Sequence, residues 1–243
     1  MASDGSWRAA GANILGQLRQ QNVEARLGST AGDLQPGVSV FDADADEDLH
    51  RVVQIGRRYS GRVLWCGSGG LAGALASQTG VSASRKLKTP ILGMFGSDHP
   101  ATAAQLARCQ RVVVSGADGN KTLDQIKRAL ARGVAFLKLD ARCGHSRAEA
   151  AQCFELQIAA VSKAIDPPGT LIVAGGETLK AQCLAVGASA LQVLGRLEPG
   201  VARSAIQDGA WMGVDVISKS GAFGQSDLWW NLLNENGLIQ EGM

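Results

Sequence analysis

The fold is indicated most directly by one stretch of the sequence, Thr170-Leu-Ile-Val-Ala-Gly-Gly-Glu-Thr178. Its first part is a short, mostly apolar run without alternation, which is typical of a strand that is buried on both faces. The paired glycines then predict a tight turn, and the residues after them predict a helix to about Val186. The stretch therefore predicts a strand, a turn and a helix in succession, which is the repeating unit of an α/β fold.

Strand and helix patterns alternate on both sides of this stretch. Strands separated by helices pair in parallel through right-handed crossovers. The expected fold is therefore α/β, a mostly parallel sheet with helices on both faces, in a Rossmann-like three-layer single domain. The other strands are predicted at 38–41, 62–66, 90–95, 111–114, 134–139, 190–197 and 214–218, and the other helices at 13–26, 46–59, 71–77, 100–110, 123–131, 147–165 and 227–234.

Composition excludes several classes of function. The chain has 243 residues and a formal net charge of only +2, and no stretch concentrates Lys and Arg enough to predict a nucleic-acid-binding face. No apolar run approaches the ~20 residues of a membrane span, and the first residues do not resemble a secretory signal. The five cysteines form no Cys-x-x-Cys pair and the three histidines share no metal spacing. We therefore expect a cytoplasmic protein with free thiols, no metal site, and no nucleic-acid or membrane partner.

Three glycine-rich turns follow predicted strands. They are Gly67-Ser-Gly-Gly70, Gly175-Gly-Glu-Thr178 and Lys219-Ser-Gly-Ala-Phe-Gly224. Ligands of open parallel sheets bind beyond the carboxyl ends of the strands, where these turns would lie. Glycine allows a close approach of the backbone to an anion, and free N–H groups at a helix start point toward it. The turns therefore favour a nucleotide site, in which Lys219 could neutralise a phosphate and Glu177 could hold ribose hydroxyls or a water-bound magnesium ion.

Each turn taken alone also fits a plain tight connection. None matches the Walker pattern, and the first has its glycines at the wrong interval for a dinucleotide fingerprint. The tandem Trp229-Trp230 could stack on an adenine, although paired aromatics in a C-terminal helix more often serve packing.

Five motifs in a fixed order extend the argument. They are Val40-Phe-Asp-Ala-Asp-Ala-Asp-Glu-Asp-Leu49, Gly67-Ser-Gly-Gly-Leu71, Gly175-Gly-Glu-Thr178, Glu198-Pro-Gly200 and Lys219-Ser-Gly-Ala-Phe-Gly224. The ordered set resembles the C-terminal nucleotide-binding domain of the four-carbon acid sugar kinases, formerly a domain of unknown function, over roughly residues 35–235. Two positions depart mildly from the family, since Gly69 stands where alanine is common and Ala222 where glycine is common.

The resemblance implies an ATP-dependent kinase of carbohydrate metabolism that acts on acids such as threonate, erythronate and 3-oxo-tetronate with Mg²⁺. It implies nucleotide contacts at Ser68, Gly175, Gly176, Glu177, Thr178 and Gly221. It also implies that residues 36–243 form the nucleotide-binding domain, and that residues 1–35 are a helix and connector to a substrate domain that this chain lacks. The binding site for the acid substrate and the catalytic base would lie in that missing domain.

Three hypotheses follow. The first is the ATP-binding half of such a kinase, whose lone chain could be inactive. The second is a non-catalytic remnant that binds a nucleotide or docks on a partner. The third, a nicotinamide-dependent oxidoreductase, is weakest because the G-x-G-x-x-G sequence with an acid ~20 residues later is missing. A domain that has lost its cleft partner would also expose an apolar face, so self-association as a homo-oligomer is a further prediction.

Overall fold

The computed structural model describes residues 13–76, 80–116, 119–140 and 147–240. The chain forms two compact units, an N-terminal unit, Met1–Gly80, and a C-terminal unit, Val81–Met243. The domain division expected from the sequence, with a connector up to residue 35, remains a prediction.

The N-terminal unit contains α1 (Ile14–Gln20), β1 (Ala25–Leu27), β2 (Val38–Val40), α2 (Asp46–Arg58) and α3 (Gly69–Ala76). Strands β1 and β2 pair in parallel. The prediction of one helix over 13–26 is wrong beyond Gln20, because the chain turns at Asn22, whose φ is +56°. The predicted strand at 62–66 is also wrong, since these residues are irregular and Leu64 is exposed.

The C-terminal unit is built on a seven-stranded sheet. Its strands are β3 (Ile91–Phe95), β4 (Val113–Ser115), β5 (Val134–Lys138), β6 (Thr170–Ala174), β7 (Leu191–Glu198), β8 (Val201–Ile206) and β9 (Asp215–Lys219). They lie in the order β4-β5-β3-β6-β9-β8-β7. The first five of these strands are parallel to one another, whereas β8 is antiparallel to both β9 and β7. The predicted α/β fold with a mostly parallel sheet is therefore confirmed.

In the described part of this unit, five α-helices accompany the sheet: α4 (Pro100–Arg108), α5 (Asn120–Leu130), α6 (Arg147–Ala164), α7 (Gly176–Val186) and α8 (Leu228–Glu235). Alternate residues of β3 face two separate apolar clusters. Leu92 and Met94 belong to a cluster with Ile158 of α6 and Ala181 of α7. Ile91 and Phe95 belong to another, which includes Leu106 of α4 and Leu228, Trp229, Leu232 and Leu233 of α8. Burial on both faces explains why β3 and β6 are continuous apolar runs, and it gives the three layers that the sequence predicts.

Strand β8 is absent from the sequence-based prediction. It carries Arg203, which is buried and would be costly in a sheet without a partner. The guanidinium donates to the Asp215 carboxylate on β9 and to the carbonyls of Ser84 and Lys86. Lys88 lies 3.3 Å from the other carboxylate oxygen of Asp215. The buried charge is thus satisfied by groups that are distant in sequence.

Two expectations about the whole chain can be compared with the structure. Within the described residues, no helix is both long and apolar enough to span a bilayer. Cys66, Cys109 and Cys183 are free thiols. Cys153 takes part in a disulfide, so the expectation of thiols throughout is wrong at that position, while Cys143 lies outside the described residues.

Candidate functional site

Three loops meet at the carboxyl ends of neighbouring strands in the C-terminal unit. The first loop (96–99) follows β3, the second (175–178) follows β6, and the third (220–225) follows β9. The N–H of Gly175 donates to the carbonyl of Lys219 at 2.9 Å, which ties the ends of β6 and β9 together. The structure therefore brings the predicted residues Gly175, Gly176, Glu177 and Thr178 to the same edge of the sheet as Gly221.

The second loop is the start of helix α7. Gly175 is its N-cap with φ +110°, a conformation that favours glycine, and it supplies no side-chain cap. The N–H groups of the first helical turn, from Gly176 to Thr178, have no partner within the helix. The Glu177 side chain is exposed, whereas Thr178 is buried with its hydroxyl beneath the first loop, 2.7 Å from where a Cβ on Gly96 would lie. This helix start can therefore receive an anion through its backbone.

The third loop is held from behind by side chains of helix α4. The Gln105 amide donates to the carbonyls of Phe223, Gly224 and Gln225 at 3.1, 3.1 and 2.9 Å. The Thr102 hydroxyl donates to the carbonyl of Gly221 at 3.0 Å. Thr102 and Gln105 are fully buried, so these contacts are shielded from water.

Lys219 completes this set of contacts. Its ammonium donates to the carbonyls of Ser220 and Gly221, both at 3.1 Å, and reaches the Thr102 hydroxyl at 3.4 Å. The side chain is only 5% exposed, and burial lowers its pKa from 10.5 to about 8. All three ammonium hydrogens have acceptors behind the loop, so Lys219 does not present its charge to the front of the site as the sequence interpretation supposed.

The captured carbonyls determine where the N–H groups of the third loop point. In a planar trans peptide the C=O of one residue and the N–H of the next point in opposite directions. The carbonyls of Ser220, Gly221, Phe223, Gly224 and Gln225 all point inward toward Lys219 and α4. The N–H groups that follow them therefore point outward, and they have no hydrogen-bond partner in the described part of the chain; they belong to Gly221, Ala222, Gly224, Gln225 and Ser226. Successive outward N–H groups form a concavity suited to an anion.

The first loop, Gly96-Ser-Asp-His99, is a part of the site that sequence reasoning missed. The Ser97 side chain lies between the other two loops, 3.9 Å from a Cβ built on Gly175 and in the space that a Cβ on Gly221 would need. His99 caps α4, because its Nδ1 accepts from the N–H of Ala101 at 3.2 Å. The available signal was the placement of small and polar residues directly after a predicted buried strand, the same signal that identified the glycine turns.

The Glu198-Pro-Gly200 motif supports the third loop rather than facing a ligand. It forms the turn between β7 and β8, and Gly200 has φ +77°. The Phe223 ring occupies the space where a side chain on Gly200 would begin. Two of the motifs in the ordered set are thus in contact.

The tandem tryptophans serve packing. Trp229 is fully buried and lies edge-on to Phe95, with ring centroids 6.1 Å apart. Trp230 is half-buried and lies 5.8 Å from the Arg108 guanidinium. Trp229 is therefore unable to stack on an adenine, as the packing alternative predicts.

Ser68 belongs to the N-terminal unit. It directly precedes α3, is exposed, and accepts a hydrogen bond from Ala72 N at 3.2 Å through its carbonyl. A Cβ on Gly69 would meet no atom within 4 Å. Ser68 is thus at the start of a short helix, as expected, although the strand predicted before it is not formed.

Comparison with known proteins agrees with this geometry. Residues 135–229 match the family model described as a nucleotide-binding C-terminal domain. This range contains the second and third loops and the turn at Gly200, so the resemblance to a nucleotide-binding C-terminal domain is confirmed over this part of the C-terminal unit. No curated protein sequence matches the chain.

Several solved structures are similar in fold. Two crystal forms of a Bordetella bronchiseptica DUF1537 protein, a domain-swapped dimer with bound citrate, have TM-scores of 0.50. Their identities are 19% and 21%, over 97% and 92% of this chain and 63% and 55% of theirs. A Haemophilus influenzae DUF1537 protein has a TM-score of 0.56 at 16% identity, over 82% of this chain and 54% of its own. A Salmonella typhimurium protein, provisionally named a tRNA synthase, has a TM-score of 0.56 at 20% identity, over 91% of this chain and 55% of its own.

At these identities the likeness shows the fold alone. The chain spans 54% to 63% of the length of these solved proteins.

Proposed function

We propose that this chain is the ATP-binding part of a kinase that phosphorylates four-carbon sugar acids of the threonate, erythronate or 3-oxo-tetronate type. The observation that carries the proposal is the set of outward N–H groups of the third loop, next to the uncapped start of α7. Phosphoryl transfer needs mainly positioning and neutralisation of the phosphates, and backbone donors supply both. The match to a nucleotide-binding domain supports the ligand class, and the ordered motifs support the kinase.

The residues present fit the phosphates of ATP better than they fit a free metal ion. The described residues contain no group of three His, Cys, Asp or Glu side chains that could hold a metal. Magnesium in such sites is usually held by phosphate oxygens, water and one or two carboxylates. We assign the protein's share of Mg²⁺ binding to the exposed carboxylate of Glu177, and Mg²⁺ would neutralise the charge of the transferred phosphate. The nucleotide contacts would be Ser68, Gly175, Gly176, Glu177, Thr178 and Gly221.

The acid substrate and the catalytic base are assigned to a domain outside these residues, as the resemblance implies. An ATP-dependent reaction of carbohydrate metabolism also assigns the protein to the cytoplasm, where its nucleotide is available. The alternative function is a non-catalytic module that binds a nucleotide or docks on a partner. Supplying the substrate domain of a full-length relative in trans, with ATP, Mg²⁺ and threonate, separates the two: acid-dependent ADP release supports the kinase, and its absence supports the module.

The nucleotide site is tested by titration calorimetry with ADP and ATP, with and without Mg²⁺. Gly176 is the informative position because a Cβ there would meet no atom within 4 Å. We expect Gly176→Asp to weaken binding by at least about tenfold, since a second carboxylate next to Glu177 would compete with phosphate for the helix N–H groups and repel it, whereas Gly176→Ala retains it. Ala185→Asp, exposed at the other end of the same helix, is the charge control.

Wild-type protein that binds neither nucleotide would overturn the proposal, as would equal binding by Gly176→Asp. Titration with NAD(H) under the same conditions tests the oxidoreductase hypothesis, which a failure to bind this cofactor would rule out.

We also propose self-association, because Val193 and Leu194 of edge strand β7 are exposed. Light scattering across micromolar concentrations tests it, and a monomer at every concentration would refute it.

A further inference from the structure

Lys219 is a buried cation without a carboxylate partner among the described residues. It ends β9 and sits directly behind the third loop, with its ammonium on the carbonyls of Ser220 and Gly221. A buried charge is costly unless it is paired or fully hydrogen-bonded. Three hydrogen bonds satisfy the Lys219 ammonium, but no carboxylate in the described part of the chain offsets its charge. The nearest feature that this positive charge would assist is the row of outward N–H groups.

Thr102 links this ammonium to the loop a second time. Its hydroxyl accepts from Lys219 Nζ at 3.4 Å and donates to the Gly221 carbonyl at 3.0 Å. Hydrogen bonds in such a chain polarise one another in a low-dielectric environment. The peptide units after Ser220 and Gly221 are the ones whose orientation this network fixes.

We propose that Lys219 is a positioning residue of the nucleotide site, which turns the peptides after Ser220 and Gly221 so that the N–H groups of Gly221 and Ala222 face the phosphates. This inference rests on the proposed function. Lys219 touches the loop and not the ligand, and its charge lies behind the peptide units that bind. The positive charge also favours an anion at the front of the loop, because water does not screen it.

A role of the charged Lys219 makes nucleotide affinity depend on pH, and linkage gives the direction of that dependence. Burial without a counter-charge lowers the pKa of Lys219 to about 8, so the unliganded protein loses this proton as the pH rises through 8. A bound phosphate favours the charged ammonium, so nucleotide binding takes up a proton above that pH. Nucleotide affinity is therefore full below pH 8 and decreases above it, by up to tenfold per pH unit.

Among the described residues, four other titratable side chains lie around the third loop. His99 of the first loop lies with its Cβ 3.3 Å from a Cβ on Gly221, and Glu198 at the end of β7 lies 3.4 Å from a Cβ on Gly224. Glu177 of the second loop and Asp98 of the first are exposed carboxylates at the same edge. The Lys219→Met variant therefore separates the contribution of the lysine to the pH dependence from the contributions of these groups.

The test is calorimetric titration of ADP at pH 7, 8 and 9 with three proteins: wild type, Lys219→Met, and Lys180→Met as an exposed control on α7. We expect wild type and Lys180→Met to lose about tenfold or less in affinity from pH 7 to pH 9. Lys219→Met should bind several-fold more weakly at pH 7 and show no further loss. Thr102→Val, which keeps the buried shape, covers the case in which Lys219→Met fails to fold, and should also bind more weakly at pH 7.

Three results overturn the inference while leaving the proposed function intact: wild-type binding that is sensitive to Gly176→Asp but independent of pH, a pH dependence that persists in Lys219→Met, or full affinity in Thr102→Val. Wild-type protein that binds no nucleotide at any pH overturns the proposed function and this inference together.

Discussion

The Ser97 hydroxyl occupies the space in which a side chain at Gly221 would begin. Gly221 does not have the left-handed backbone that would itself demand glycine. The requirement for glycine therefore comes from the first loop, which closes against the third. Gly221, which the sequence analysis singled out, must therefore be glycine because of Ser97, which that analysis missed.

This relationship predicts a compensating pair of substitutions. Gly221→Ala should lower the free energy of unfolding by about 1–3 kcal/mol, because the new methyl overlaps Ser97. The same change should cost at least about 1 kcal/mol less when made together with Ser97→Gly. Urea unfolding of the four proteins measures the coupling. Gly176→Ala, in open space, is the control, and a purely additive cycle would show that Ser97 does not constrain Gly221.

Gln105 gives a prediction that separates holding the loop from binding the ligand. Gln105→Met retains most of the side-chain volume but leaves the carbonyls of Phe223, Gly224 and Gln225 without their donor. We expect a loss of about 1–3 kcal/mol in the free energy of unfolding. ADP affinity should also fall, because the outward N–H groups lose their fixed direction. Gln125→Met, exposed on α5, should alter neither the unfolding midpoint nor the ADP titration.

The sequence predicts the parallel part of the sheet because the burial of β3 and β6 on both faces can be read from their apolar residues. Five residues of each are buried, so a continuous apolar run is the signal that burial on both faces requires. The glycine turns after β6 and β9 are predictable for a similar reason, since each follows a largely buried strand within one or two residues. The sequence analysis also identified Lys219, but it assigned the side chain the wrong direction. No local pattern shows that the Thr102 hydroxyl and two backbone carbonyls accept hydrogen bonds from its ammonium.

The missed elements depend on partners that are distant in the chain. Arg203 makes β8 unlike a strand until Asp215 and the carbonyls of Ser84 and Lys86 are in place. The predicted strand at 62–66 shows the opposite error. Its local pattern suits a strand, yet none of the described residues pairs with it, and Leu64 stays 89% exposed. Strand formation depends on a neighbour, which a local pattern does not reveal.

The Arg203–Asp215 pair predicts a strong asymmetry between single and double substitutions. Both side chains are buried, so Asp215→Leu leaves a buried guanidinium unpaired and should cost about 3–5 kcal/mol of the free energy of unfolding. Arg203→Met should cost less, because Lys88 remains 3.3 Å from the Asp215 carboxylate. Replacing both should recover much of either loss, and denaturant titration of the three variants measures it. A double variant as unstable as the sum of the singles would contradict this account.

Cys109 predicts how the stability and reactivity of the protein change at alkaline pH. Burial raises the pKa of its thiol to about 12, whereas an unfolded cysteine ionises near ~8.5. The folded state therefore keeps a proton that the unfolded state releases. This contribution to stability is complete below pH 8.5 and is lost progressively as the pH rises toward 12.

Urea midpoints measured between pH 7 and 10 should decrease less steeply for Cys109→Ala than for wild type, whereas Cys66→Ser should follow wild type because Cys66 is exposed. Alkylation at pH 8 checks the same burial independently. Iodoacetamide should modify Cys66 within minutes and Cys109 only as fast as the protein unfolds, since the thiolate is the nucleophile. Equal rates of modification at the two sites would show that the C-terminal end of α4 opens to solvent, and the alkaline loss of stability would then need another source.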